Sequence, residues 1–320
     1  MDIAENMSKA MKSPKLAINR GSTITKDALK LPFKYVLHQK HGKPTNQLTQ
    51  DWDNLILLDA CRFDTFREVV TLDGDLSSII SPGSATLEWL ANAVDDRTFY
   101  DTVCVTAQPR LARYESQFHA VEHVWNQEWD DELKVTPPKP VANAMRIARK
   151  EYPEKRLYAH FMQPHTPYIG QYGRENVGIR TGDAAARDRV LGENVSSDDW
   201  YHALDALENG EISKATAVKA YQENLELVLE EVTKLITELD GKTVITADHG
   251  DLFGEWAWPY PRKLFDHPPK TPAIKLKQVP WFVVDGERRE ISSESPGTSG
   301  DQIDDDHVGD RLRQLGYLDE

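Results

Sequence analysis

Apolar and polar positions alternate in blocks along this chain, and the blocks predict strands alternating with helices. Asn54-Leu55-Ile56-Leu57-Leu58 is a near-continuous apolar run, as expected of a strand covered on both faces. It empties into Asp59-Ala60-Cys61-Arg62-Phe63-Asp64, and Thr65 to Val70 follow as a first helical turn. Shorter strands are expected over Ser78–Ile80 and Tyr100–Val105. Between them Ser81-Pro82-Gly83 is turn chemistry, and a helix opens at Ser84-Ala85-Thr86-Leu87-Glu88, an imperfect capping box. Residues 109–140 are mixed and predict no element order. Val141–Lys150 reads as a helix ended by Pro153, and Arg156–Met162 as a strand running into the proline-rich loop Gln163-Pro164-His165-Thr166-Pro167-Tyr168.

Residues 170–212 are polar and irregular, and suggest an insertion or lid. From Ser213 to Leu239 the apolar positions keep helical spacing, making this the longest helix, stopped by Asp240-Gly241. Thr243-Val244-Ile245-Thr246 is then a buried strand that delivers Asp248 and His249 side by side, with a turn at Gly250. A loop of about thirty residues leads to the last strand, Val279–Val284. The tail from Glu287 is acidic and Ser-rich apart from a final helical piece, Val308–Leu318. A short helix is expected near Lys26–Leu37.

The expected fold class is therefore α/β, a mostly parallel central sheet with helices on both faces. Ligands of such sheets bind beyond the carboxyl ends of the strands. Asp59, His165 and the Asp248-His249 pair each stand just past such an end. A carboxylate and an imidazole there suit a divalent metal, against the plain alternative of an ordinary polar loop.

Composition narrows this picture. The chain has 320 residues and 39% hydrophobic content, enough for one large α/β domain. The net charge is −14 and the pI about 5.2, which argues against sequence-independent nucleic-acid binding. Residues 1–50 differ: eight Lys and one Arg against three acids give +6. They are expected to form a basic, partly disordered extension ahead of a catalytic domain over 51–320, able to make peripheral membrane contact. Two cysteines make no disulfide framework, no apolar run reaches transmembrane length, and no signal-peptide core is visible, so a cytoplasmic protein is expected.

Four segments resemble the alkaline phosphatase superfamily, on its sulfatase and phosphoglycerol-transferase side. NLILLDACRFD resembles the first sulfatase strand and its Asp-Asp-x-Arg-x-Asp segment. HFMQPHTPY resembles the Pro-His-x-Pro-Tyr loop, and TVITADHGDLFGE the Asp-His-Gly-Glu segment with Asp251 in the Glu place. DRLRQLGYLDE resembles the terminal helix. The resemblance spans roughly residues 52 to 320 and implies an alkaline phosphatase-like sandwich that transfers or hydrolyses phosphate or sulfate esters with a divalent metal.

By motif position the resemblance implies Asp59, Asp248 and His249 as metal ligands. His165 would be a substrate-binding residue, with Arg62 either joining it or forming a structural salt bridge. His267 would be a further metal or substrate residue, or an exposed loop histidine. The nucleophile implied is Ser84, with plain capping of its helix the equal reading and Thr86 the alternative nucleophile; Cys61 reads as a small buried residue. The sulfatase modification segment is absent and Ala60 replaces the second aspartate, so phosphate esters are favoured over sulfate esters, and Zn²⁺ or Mn²⁺ over Ca²⁺ or Mg²⁺. The substrate implied is a phosphorylated or sulfated sugar or lipid headgroup. Trp89, Trp125, Trp129, Trp200, Trp256 and Trp258 could stack on sugars or simply fill the core. The alternative function is a catalytically inactive relative that binds an anionic glycan or lipid headgroup.

Overall fold

The computed structural model describes residues 35–180, 182–195, 201–257, 260 and 262–294. The expected helix near Lys26–Leu37 lies mostly outside them, although residues 35–41 are helical. Most of the basic extension, Trp200, Trp258 and the expected helix Val308–Leu318 also lie outside the described residues.

A seven-stranded mixed sheet in the order β2-β9-β6-β1-β5-β3-β4 forms the centre. Its strands are β1 Asn54–Leu58, β2 Asp75–Ile80, β3 Phe99–Thr106, β4 Phe118–His123, β5 Arg156–Phe161, β6 Thr243–Thr246 and β9 Gln278–Val284. A separate hairpin pairs β7 Leu252–Trp256 with β8 Lys263–Asp266 inside the segment expected to be a loop. Within the large sheet only β9 runs against its neighbours, β6 and β2. The fold is thus α/β, with a mostly parallel sheet and helices around it.

β1 is central because all five of its residues are apolar or internally bonded, and all are buried. Leu55 and Leu57 face a cluster with Trp52, Trp89 and Tyr158. Ile56 and Leu58 face the opposite cluster, with Val141, Met145, Val228 and Val232. The strand's period of two thus feeds two cores at once.

Four helices matter for the site: α1 Phe63–Val69, α2 Thr86–Ala93, α3 Pro138–Glu151 and α4 Lys214–Ile236. Ser213 caps α4, its hydroxyl accepting from the Thr216 N–H at 3.0 Å. Ala217, Ala220, Tyr221, Asn224, Leu225, Val228, Val232 and Leu235 form the buried stripe of α4 at spacings of three and four.

Two polar side chains in that stripe pin loops at the sheet's carboxyl edge. The Tyr221 hydroxyl donates to the Ala60 carbonyl and accepts from the Arg62 N–H, both at 2.8 Å. Asn224 donates to the carbonyls of Pro164, His165 and Pro167 at 3.0–3.3 Å and accepts from the Ile169 N–H at 2.9 Å. One helix therefore positions both the loop after β1 and the loop after β5.

Residues 109–140 resolve into a 3₁₀ segment, Pro109–Gln117, the edge strand β4 and a short helix, Val124–Gln127. The polar insertion carries three short helices, Gln171–Asn176, Gly182–Val190 and Ala203–Glu208. Trp89 and Trp125 are buried and Trp256 is exposed.

Candidate active site

β1, β2, β3, β5 and β6 run the same way, so their following loops meet at one edge of the sheet. The loop after β1 brings Asp59, the loop after β6 brings Asp248 and His249, and the turn after β2 leads to Thr86 at the start of α2. Asp59, Asp248 and His249 are all buried, and one ligand atom from each lies within 4.8 Å of the others, so they could hold a metal ion.

Hydrogen bonds orient the three side chains. His249 Nδ1 is 3.0 Å from the Gly250 carbonyl, which can only accept, so Nδ1 donates there and Nε2 is the nitrogen that faces the cluster. That Nε2 is 3.1 Å from Thr86 Oγ1, 3.2 Å from Asp248 Oδ2 and 3.9 Å from Asp59 Oδ1. Asp248 Oδ1 accepts from the Ala60 N–H at 3.0 Å and its neighbour's N–H, His249, at 2.9 Å. Asp59 Oδ2 accepts from Gln108 Nε2 at 2.9 Å. Among the described residues, no aligned donor reaches the other two oxygens, Asp59 Oδ1 and Asp248 Oδ2. Buried carboxylate oxygens without a donor are costly unless a cation meets them, and these converge with one imidazole nitrogen and one hydroxyl. The donor set fits a divalent metal.

Burial by itself would raise the Asp59 pKa. The His160 imidazole beside it, with His165 and His249, outweighs burial and holds the carboxyl well below the usual range. Ala60, where the resemblance expected a second aspartate, sits at φ 59° and turns its N–H onto Asp248. Gly250 is required by space: a Cβ there would lie 2.3 Å from the Lys275 carbonyl oxygen.

His267 stands beside this group, its ring centroid 4.4 Å from that of His249, but its donor atoms belong to a second cluster with His165 and Asp251. His267 Nδ1 lies 2.9 Å from Asp251 Oδ1 and 2.6 Å from Asp266 Oδ1. Burial disfavours charge on His267, and the Asp266 and Asp251 carboxylates outweigh it, so its pKa stands well above the ordinary histidine value. His165 Nδ1 is 2.8 Å from the Thr166 carbonyl, which orients its ring 5.0 Å from that of His267, centroid to centroid.

Ser84 and Arg62 lie elsewhere. Ser84 Oγ donates to Glu88 Oε2 at 2.8 Å and accepts from the Thr271 N–H at 3.0 Å, a network separate from Asp59, Asp248 and His249. Nor does Ser84 cap α2: Ala85 occupies that position. Arg62 grips Asp64 with Nε and one terminal nitrogen at 2.9 and 2.8 Å, while the other terminal nitrogen reaches Glu255 Oε1 at 3.0 Å and the Asp251 carbonyl at 3.2 Å. The guanidinium is thus committed to carboxylates and backbone. Cys61 is buried, and burial raises its thiol pKa.

Gln108, His160 and Asp266 were not found from sequence. His160 alone left a signal there, as a histidine inside the apolar strand Arg156–Phe161.

No protein-family model matches the sequence, and no curated protein sequence matches it significantly. Solved structures similar to this chain include the C-terminal periplasmic domain of EptC from Escherichia coli in complex with Zn, at 12% identity and TM-score 0.46 over 77% of each chain. Another is the soluble domain of lipooligosaccharide phosphoethanolamine transferase A from Neisseria meningitidis, at 13% identity and TM-score 0.43 over 72% of this chain and 75% of that one. A third is an alkaline phosphatase superfamily protein from Vibrio parahaemolyticus, at 10% identity and TM-score 0.40 over 78% and 63%. The Vibrio parahaemolyticus protein is of the superfamily that the motifs resemble. The cytoplasmic location expected from sequence is corrected here, because the E. coli EptC structure that the chain resembles is a periplasmic domain. Among the described residues no helix is long and apolar enough to cross a membrane.

Proposed function

We propose that the protein is a metal-dependent enzyme of phosphate esters, a hydrolase or a transferase, with Thr86 as nucleophile. The observation that carries this reading is Thr86 Oγ1 at 3.1 Å from His249 Nε2, at the point where the unpartnered oxygens of Asp59 and Asp248 also converge. Asp59, Asp248 and His249 would hold a divalent cation, Zn²⁺ or Mn²⁺. Bound there, it would lower the hydroxyl's pKa and neutralise phosphoryl charge.

Thr86 Oγ1 would form a bond to phosphorus as the bond to the departing alcohol oxygen breaks. Water or an acceptor alcohol would then take the phosphoryl group and free Thr86. His165 and the cationic His267 adjoin this point and suit the remaining phosphoryl oxygens. Phosphate is favoured over sulfate because the chain lacks the segment that sulfatases modify. The alternative, a non-catalytic binder of anionic headgroups, gives no reason for a hydroxyl set against the ligand imidazole. The test is turnover of aryl phosphate and aryl sulfate on one metal-loaded sample before and after chelation. Chelator-sensitive phosphate release supports the proposal; no turnover of either ester by a metal-replete protein contradicts it.

A further inference from the structure

We propose that the buried His160, with Gln108, is a positioning residue that makes Asp59 a one-oxygen ligand and so sets which cations the cluster accepts. This rests on the metal reading above and concerns residues that the reading does not use.

His160 is fully buried on β5, opposite Leu57 of β1. Its Nε2 lies 3.4 Å from Asp59 Oδ2, the same oxygen that accepts from Gln108 Nε2 at 2.9 Å. Its Nδ1 lies 2.8 Å from the Tyr158 hydroxyl. Burial raises the Tyr158 pKa, so the phenol keeps its proton and can donate to Nδ1. Nε2 is therefore the ring nitrogen that faces Asp59. The ring is further held edge-on by Trp89, at 90° and 6.1 Å between centroids. Gln108 is fixed in its turn: its N–H donates to Thr106 Oγ1 at 2.9 Å and its Oε1 accepts from Arg110 at 3.1 Å.

Gln108 thus hydrogen-bonds Oδ2 of Asp59, His160 Nε2 stands 3.4 Å from the same oxygen as a charge contact, and Oδ1 is left for a ligand. Asp248 is divided the same way, with Oδ1 engaged by two backbone N–H groups and Oδ2 left over. The protein therefore presents two single carboxylate oxygens, one imidazole nitrogen and one hydroxyl. Four donors with a nitrogen among them suit a compact cation such as Zn²⁺; Ca²⁺ takes about six to eight oxygens and often uses carboxylates through both atoms. Losing the His160 contact would let Asp59 turn and offer Oδ2 as well.

The experiment is calorimetric titration of the full chain with Zn²⁺ and Ca²⁺, alongside the visible spectrum of the Co²⁺-substituted protein. It compares wild type with His160→Leu, His160→Gln and Gln108→Leu, each checked for native circular dichroism. In His160→Leu, Zn²⁺ affinity is expected to fall about 10- to 100-fold while Ca²⁺ affinity holds or rises, narrowing the ratio between them. The Co²⁺ bands should weaken, as expected on moving to a higher coordination number. His160→Gln retains a donor and should recover much of the ratio. Gln108→Leu should shift the ratio in the same direction, and carries the test should His160→Leu fail to fold. Folded variants with the wild-type ratio and spectrum would overturn this inference alone. Absence of Zn²⁺ binding by the wild-type chain would overturn the metal reading and this inference with it.

Discussion

The Ser84 hydroxyl donates to the Glu88 carboxylate at 2.8 Å and accepts the Thr271 N–H at 3.0 Å, so it ties the start of α2 to the loop that follows β8. Glu88 also accepts the Lys270 N–H at 2.8 Å. Ser84 is fully buried, and Ser84→Ala would leave the Thr271 N–H without its acceptor. The expected cost is about 1–3 kcal/mol. Chemical denaturation of the variant should show that loss, with metal affinity unchanged within a few-fold. A variant as stable as wild type would contradict this structural role.

Tyr221→Phe tests how α4 holds the loop carrying Asp59. Removing the hydroxyl strands the buried Ala60 carbonyl and Arg62 N–H together. We expect a loss of about 2 kcal/mol in stability, from unsatisfied buried groups, and weaker metal binding because Ala60 also donates to Asp248. Unchanged metal affinity in titrations would show that the loop keeps its shape without this contact.

The legibility of the chain followed burial. β1 and β6 are wholly buried and could be read to the residue, since neither face needs polar side chains. The hairpin of β7 and β8 reads as loop in the sequence. Gly254 there adopts φ 77° and the register slips between Phe253 and Glu255, so no alternation survives in the sequence. Asp59, Asp248 and His249 announced themselves by standing just past strands. The sequence favours Ser84 over Thr86, yet which hydroxyl faces the cluster depends on where α2 begins, and it begins one residue after Ala85. Gln108 reaches Asp59 across 49 positions of sequence, and no local pattern encodes that meeting.

Asp64 carries a pH prediction. Burial would raise its pKa, but the hydrogen bonds and charge of Arg62, and then Lys275, hold it below the ordinary 3.8. A depressed folded pKa means that the stabilisation is fully present above 3.8 and is lost as pH falls through the lower folded value. Asp64→Asn should therefore cost stability near neutral pH, about 1–2 kcal/mol after allowing for the group's partial exposure. The gap to wild type should close as pH drops below 3.8 in urea unfolding curves. A pH-independent gap would contradict the ion pair's contribution.

Metal removal should act on stability as well as on turnover. The unpartnered oxygens of Asp59 and Asp248 repel one another when no cation meets them. Free metal at one hundred times its dissociation constant should stabilise the fold by about 2.7 kcal/mol. Scanning calorimetry with chelator and then with added Zn²⁺ should show the melting temperature fall and recover. Equal melting in both conditions would contradict a cation held in this cluster.

Thr86 faces His249 Nε2 at 3.1 Å, and we propose it as the nucleophile. The most direct measurement is aryl phosphate turnover by metal-loaded Thr86→Ala, with Thr86→Ser and Ser84→Ala beside it. We expect a fall of about 10³-fold or more for Thr86→Ala. Thr86→Ser should retain activity, and Ser84→Ala should stay within a few-fold of wild type. A folded, metal-binding Thr86→Ala protein that turns over at the wild-type rate would contradict it.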